Sequence, residues 1–192
     1  LFLWKSTLLI QGGQIPGPGE VSRDGLNFYF SIRDSADTIE DLHQLSRATV
    51  DEDFGNLTPL AAALNQSAYN FAPSVSEDHL HLVFVRADSN NWHATDLFIA
   101  SRADRASPFG NVRPLTEVND PALADAQPWL SNDGLTLLFS RGFPVQIMEA
   151  KRSSVTASFS TPQPIQLALP ETVGSPWLSH DGLDLFFTQN QE

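Results

Sequence analysis

Four groupings in this 192-residue chain carry side chains able to do chemistry. The stretch DHLH (78–81) has the His-x-His spacing that puts two imidazoles on one face of a strand, as a metal site needs. The acidic loops RDSADTIED (33–41) and DEDFGN (51–56) offer clustered oxygens of the kind Ca²⁺ takes. Five His stand among many Ser and Asp, the raw material of a Ser-His-Asp hydrolase. Finally, SNNWHATD (89–96) sets Trp92 beside His93 in a polar insertion, where an exposed indole can stack on a sugar or anchor a partner.

What these residues do depends on the elements that hold them, and those elements repeat. PWLSNDGLTLLFSRG (128–142) returns as PWLSHDGLDLFF (176–187). Looser copies read VSRDGLNFYFSIR (21–33) and PSVSEDHLHLVFVRA (73–87). Asp24, Asp78, Asp133 and Asp181 thus recur about every fifty residues, the period of a repeat architecture. After each comes strict alternation: Leu26, Phe28, Phe30; Leu80, Leu82, Phe84; Leu135, Leu137, Phe139; Leu183, Leu185, Phe187. That period of two predicts a β-strand with one committed apolar face. The opposite face has polar ends and an apolar middle, as in Thr136, Leu138 and Ser140, which predicts a sheet covered on both sides.

The S-x-D-G pattern predicts the turn entering each strand. Asp24, Asp78, Asp133 and Asp181 can each bond the backbone two residues on, while Gly25, Gly134 and Gly182 tolerate positive φ. Ser22, Ser76, Ser131 and Ser179 add a hydroxyl-to-backbone bond. These residues repeat in phase with the fold, so they are structural turn residues rather than catalytic ones.

The same phasing disposes of most of the opening candidates. His79 stands where other copies have the turn Gly, and His81 falls at a variable polar position, so the pair reads as a solvated rim. The acidic loops lack the Asp-x-Asp-x-Asp-Gly spacing and read as solvated loops. No G-x-S-x-G elbow is present, and the obvious Ser residues are turn caps. Trp129 and Trp177 are in phase and read as packing residues. Trp92 and His93 remain as the candidate partner or ligand contact. The sequence therefore predicts no catalytic, metal or cofactor-binding residue.

Each unit has a second half. DLHQLSRA (41–48) aligns with DLFIASRA (96–103) and, loosely, with QIMEAKRS (146–153), and each is followed by a Phe: Phe54, Phe109, Phe159. The strand candidates VRPLTEV (112–118) and QPIQLAL (163–169) follow. Four strands per unit is the signature of a propeller blade. The expected fold is all-β, a β-propeller of four-stranded antiparallel blades with about four blades' worth of chain. We read one domain over 1–192: a half blade at 1–20, repeats starting near 21, 73 and 126, and a half blade at 174–192. The two halves either pair to close a ring or are the ends of a longer array. IQGGQIPGPGE (10–20) fits either a short outer edge or a connection.

Bulk properties narrow the partners. A formal net charge of −12, from 23 acidic and 11 basic residues, repels phosphate backbones and anionic headgroups, so nucleic acid is excluded as a partner. There is no cysteine, hence no disulfide and no thiolate metal site. No apolar run approaches the roughly 20 residues of a membrane-spanning helix.

The pattern P-x-L-S-x-D-G-x-x-L-x-F-S, followed by DLFIASR and FGNVRPL, resembles the WD-like β-propeller repeats of the TolB type, as found in bacterial cell-envelope and signalling proteins. The resemblance covers the chain from Val21 onward and departs from the pattern at His79, at Gln146 and in the polar HQL of residues 43–45. It implies a platform for protein interaction or ligand sensing, periplasmic or secreted, within a longer multidomain protein. It carries no shared catalytic residues. The expected function is a non-enzymatic binding or scaffolding module whose partner is a protein or a glycan. The alternative is a carbohydrate-active enzyme, which would place two or three unrepeated carboxylates around one axial pocket.

Two substitutions follow. Gly134→Val should lower stability by roughly 1–3 kcal/mol through strain at a positive-φ turn; an unchanged melting temperature would contradict the turn. By the same logic His79→Gly is expected to be neutral or stabilising.

Overall fold

The computed structural model describes residues 15–36, 38–87, 94–167, 173–179 and 182–189, and their regular structure is entirely β-strand. The first sheet holds β1 (Ile15–Val21), β2 (Asn27–Arg33), β3 (Glu40–Ser46) and β4 (Gly55–Pro59). The second holds β5 (Tyr69–Val75), β6 (His81–Ala87), β7 (Thr95–Ser101) and β8 (Gly110–Pro114). The third holds β9 (Asp125–Leu130), β10 (Thr136–Arg141), β11 (Gln146–Lys151) and a two-residue β12 (Gln163–Pro164). The last pairs β13 (Val173–Leu178) with β14 (Leu185–Gln189). Within each sheet every neighbour is antiparallel; a single parallel bridge, Glu40 to Tyr69, links the first two.

Among the described residues the first sheet opens with β1, ahead of the repeat start near residue 21. Its opening strand, IPGPGEV, has almost no β-propensity, yet it pairs with β2 from Ile15↔Arg33 to Val21↔Phe28. An inner strand bonds a neighbour on one side only, so it tolerates Pro and Gly that a central strand would not.

The committed apolar face of one sheet packs on the mixed face of the sheet before it. Leu82 and Phe84 of β6 meet Tyr29 of β2 and Leu42 of β3. Leu137 and Phe139 of β10 meet Val83 and Val85 of β6, with Leu97 and Ile99 of β7. This is why Leu138 and Ser140, on the mixed face of β10, are also buried. Phe28 and Phe30 stack 4.8 Å apart on the committed apolar face of the first sheet.

One arginine per blade ties the strands to the turns. Arg47, Arg102 and Arg152 sit just past the third strand of their sheets. Their Nε atoms donate to the carbonyls of Gly25 (2.7 Å), His79 (2.6 Å) and Gly134 (2.7 Å). The same guanidinium groups lie 4.4, 4.3 and 4.6 Å over the rings of Phe54, Phe109 and Phe159. A second donor of each reaches a carbonyl of the loop leading to the fourth strand, at Glu52, Arg105 and Val155. Planar geometry and several donors suit Arg alone to this three-way contact.

Candidate functional site

The inner strands β1, β5, β9 and β13 neighbour one another in turn and line a common cleft. Each carries an irregularity of register against its partner, between Pro16 and Gly19, Phe71 and Ser74, Ala126 and Trp129, and Gly174 and Trp177. In three of them the residue before a proline has positive φ: Ala72 (50°), Gln127 (52°) and Ser175 (50°). Proline cannot donate to the ladder, so the strand bulges there. Register places Glu20, Ser74, Trp129 and Trp177 at the next position, opposite Tyr29, Val83, Leu138 and Phe186. One structural position is therefore filled by an acid, a hydroxyl and two indoles.

The cleft has a volume of about 600 Å³, with Glu20, Phe71, Pro73, Gln127, Trp129 and Trp177 among its walls. It continues into a smaller space of about 320 Å³ bounded by Glu20, Arg23, Glu77, Asn132 and both indoles. The larger volume lies in the range that holds small organic ligands. Trp177 is 47% exposed and packs against Phe186 at 5.0 Å, while Trp129 is buried.

Glu20 is the electrostatic centre of the cleft. Its Oε2 accepts from the Val75 amide at 3.2 Å. The Ser74 hydroxyl also bonds it, while that oxygen accepts from the Leu130 amide at 2.9 Å. Burial pushes the carboxyl up to about 7, against the downward pull of those two hydrogen bonds. Other buried acids in the sheets have a cation. Glu40 accepts from Arg33 (2.8 Å) and Ser31 (2.6 Å), and Asp125 from Arg141 (2.7 Å). In the second sheet, neutral Asn70 takes the equivalent place and accepts from Arg86 at 3.0 Å. Arg23 and Glu77, on the wall of the smaller space, pair with each other at 3.0 Å. Among the described residues Glu20 forms no ion pair.

The sequence-selected residues lie elsewhere. Ser22, Ser76 and Ser131 donate to Asp24, Asp78 and Asp133 at 2.6–2.7 Å, and those carboxylates accept the amides of Leu26, Leu80 and Leu135. Gly25, Gly134 and Gly182 have φ of 72°, 70° and 71°. Trp92, His93 and Asp181 lie outside the described residues. No group of three or more metal-binding side chains forms among the described residues.

His79 is not on a solvated rim: it is 1% exposed with φ of 62°. Its Nδ1 lies 3.2 Å from the Tyr29 hydroxyl, and its Nε2 lies 3.2 Å from Asp24 Oδ2 without the alignment of a hydrogen bond. Burial lowers its pKa, against the pull of Asp24, so the ring favours the neutral form. It joins the first two sheets, a contact visible only once Tyr29 and Asp24 are brought to it. Glu20 was missed because it fell in a stretch read as edge or connection. The clue was its phase, since G-E-V-S occupies the place of P-S-V-S, P-W-L-S and P-W-L-S.

No protein-family model and no curated protein sequence matches the chain. Solved structures with similar folds are distant in sequence. A puromycin-hydrolysing peptidase from Mycobacterium tuberculosis matches with a TM-score of 0.56 and 17% identity over 83% of this chain and 23% of that one. TolB from Acinetobacter baumannii matches with a TM-score of 0.53 and 16% identity, over 88% and 36%. An endo-arabinase from Bacteroides thetaiotaomicron gives 0.60 and 14%, over 98% and 74%. The chain thus spans about a quarter of the peptidase's length and about a third of TolB's. The successive antiparallel sheets and these likenesses together make the fold a β-propeller.

The burial of His79 reverses the expectation for its replacement. His79→Gly relieves the positive φ but empties a packed site and takes a partner from Tyr29, so it should destabilise by about 1–3 kcal/mol. Thermal melting checks this: a variant as stable as the parent would return His79 to the rim.

Proposed function

We propose that this chain is a non-enzymatic binding module of the TolB-like kind, acting outside the cytoplasm as part of a longer protein and holding its ligand or partner in the axial cleft. The carrying observation is the break in the repeat at that cleft, where Glu20, Trp129 and Trp177 line the space from one repeated position of their strands. A position that serves packing alone has no reason to vary from acid to indole around one axis. The charge of −12 keeps nucleic acid out of consideration as a partner. No helix among the described residues is long and apolar enough to cross a membrane.

The carbohydrate-active alternative draws on one feature. Glu20, its carboxyl pushed up to about 7 by burial, and Glu77, paired with Arg23, both border the smaller space, and glycoside hydrolysis needs a carboxyl with a raised pKa as its acid. Against it, the Glu77 carboxylate already holds Arg23.

Two measurements on the full chain separate these readings. Release of reducing ends from a panel of polysaccharides should not exceed background. Release that disappears in Glu20→Gln would overturn the binding reading. In a thermal-shift screen of small metabolites and peptides at pH 8, at least one compound should raise the melting temperature of the parent but not of Trp177→Leu.

A further inference from the structure

The binding reading leaves the ligand's chemistry open, and the cleft narrows it. Each fully buried carboxylate of the sheets, Glu40 and Asp125, is matched by an arginine of its own blade. Glu20, set at the junction of the two cleft spaces, has only neutral donors among the described residues: the Ser74 hydroxyl and the Val75 amide. A carboxyl removed from water without a counter-charge ionises at a penalty that a cation placed against it removes. Across the same cleft stand the indoles of Trp129 and Trp177, and indole faces attract cations through the ring quadrupole. The chain's net charge of −12 draws cations toward it from solution.

From this arrangement we infer that the axial cleft binds an organic cation, an alkylammonium or guanidinium group, between the Glu20 carboxylate and the indoles of Trp129 and Trp177. This rests on the binding reading above. The same group is available from a free small amine or from a Lys or Arg side chain on a partner protein. The other charged groups at this end of the cleft among the described residues are Arg23 and Glu77, which pair with each other; Tyr29, opposite Glu20 on β2, bonds the ring of His79. Glu20 is thus the group whose ionisation the cation controls. Binding favours its ionised form and releases a proton where the free protein holds one, so affinity rises with pH through about 7.

The test uses calorimetric titration of the full chain with choline, with its uncharged carbon isostere 3,3-dimethylbutan-1-ol, and with the peptide acetyl-Gly-Gly-Lys-Gly-Gly-amide. The cations should bind about tenfold more tightly at pH 8 than at pH 6, since Glu20 passes from about one-tenth to nine-tenths ionised. The isostere should bind at least tenfold more weakly at pH 8. Glu20→Gln, whose side-chain carbonyl can still accept from Val75, should lose at least tenfold at pH 8 and lose the pH dependence. Trp177→Leu, at a half-exposed site, should weaken both cations, and melting curves confirm that both variants fold. Tighter binding of choline than of the peptide assigns the cation to a free amine, and the reverse assigns it to a partner's side chain. Equal binding of the isostere, affinity independent of pH, or an unaffected Glu20→Gln variant overturns the inference. If neither cation binds while a Trp177-dependent compound from the thermal-shift screen does, the cation fails and the binding reading stands. Glycan release dependent on Glu20 instead removes that reading as well.

Discussion

The fold depends on one guanidinium per blade. In three successive sheets an arginine after the third strand holds the carbonyl of the first turn, a carbonyl of the outer loop and the face of a phenylalanine. A hydrogen bond from a charged donor contributes about 1.5–3 kcal/mol, and each of these arginines makes at least two to backbone. The turn carbonyl it holds belongs to the left-handed residue two positions before the second strand. The arginine therefore fixes where the second strand begins and so how the first one pairs with it. Arg152, the most buried of the three at 7% exposure, is the clearest case.

Once the inner strands are fixed, their bulges determine what faces the axis. From one matching position the bulged inner strands present Glu20, Trp129 and Trp177 to a shared space, while Ser74 is buried against the next strand. Repetition makes that position common to the four strands, and sequence variation makes it chemically one-sided. The acid and hydroxyl lie on β1 and β5, the two indoles on β9 and β13. Glu20 and Ser74 also join blades, since each accepts the amide of the residue one step along the next inner strand. The same side chains therefore help hold the row of inner strands together. Any ligand in the cleft senses, and is sensed by, the junctions between blades.

The second and third strands and the S-x-D-G turns could be read from sequence because their signals are local. Alternation exposes Leu135, Leu137 and Phe139, and the Ser131–Asp133 bond spans two residues. The cleft was hidden for the opposite reason. Glu20 sits in IPGPGEV, whose Pro and Gly hide a strand from any propensity argument, and its partner Val75 is 55 residues away. His79 looked like a lapse from the turn pattern until Tyr29, from the preceding sheet, supplied its contact. The phased arginines and phenylalanines were visible as a repeat, but their mutual stacking was not, because it joins segments that meet only in the folded blade. Trp177 matched Trp129 in phase yet stands half-exposed where Trp129 is covered.

At the cleft the Glu20 carboxyl, largely withdrawn from solvent, meets no cation among the described residues. Carbon-detected NMR of the Glu20 side-chain carboxyl, followed from pH 3 to pH 9 in the ligand-free chain, measures this directly. A single titration with its midpoint near 7 is expected. A midpoint close to the ordinary glutamate value of about 4.3 would mean that Glu20 is solvated or already paired, and would contradict it.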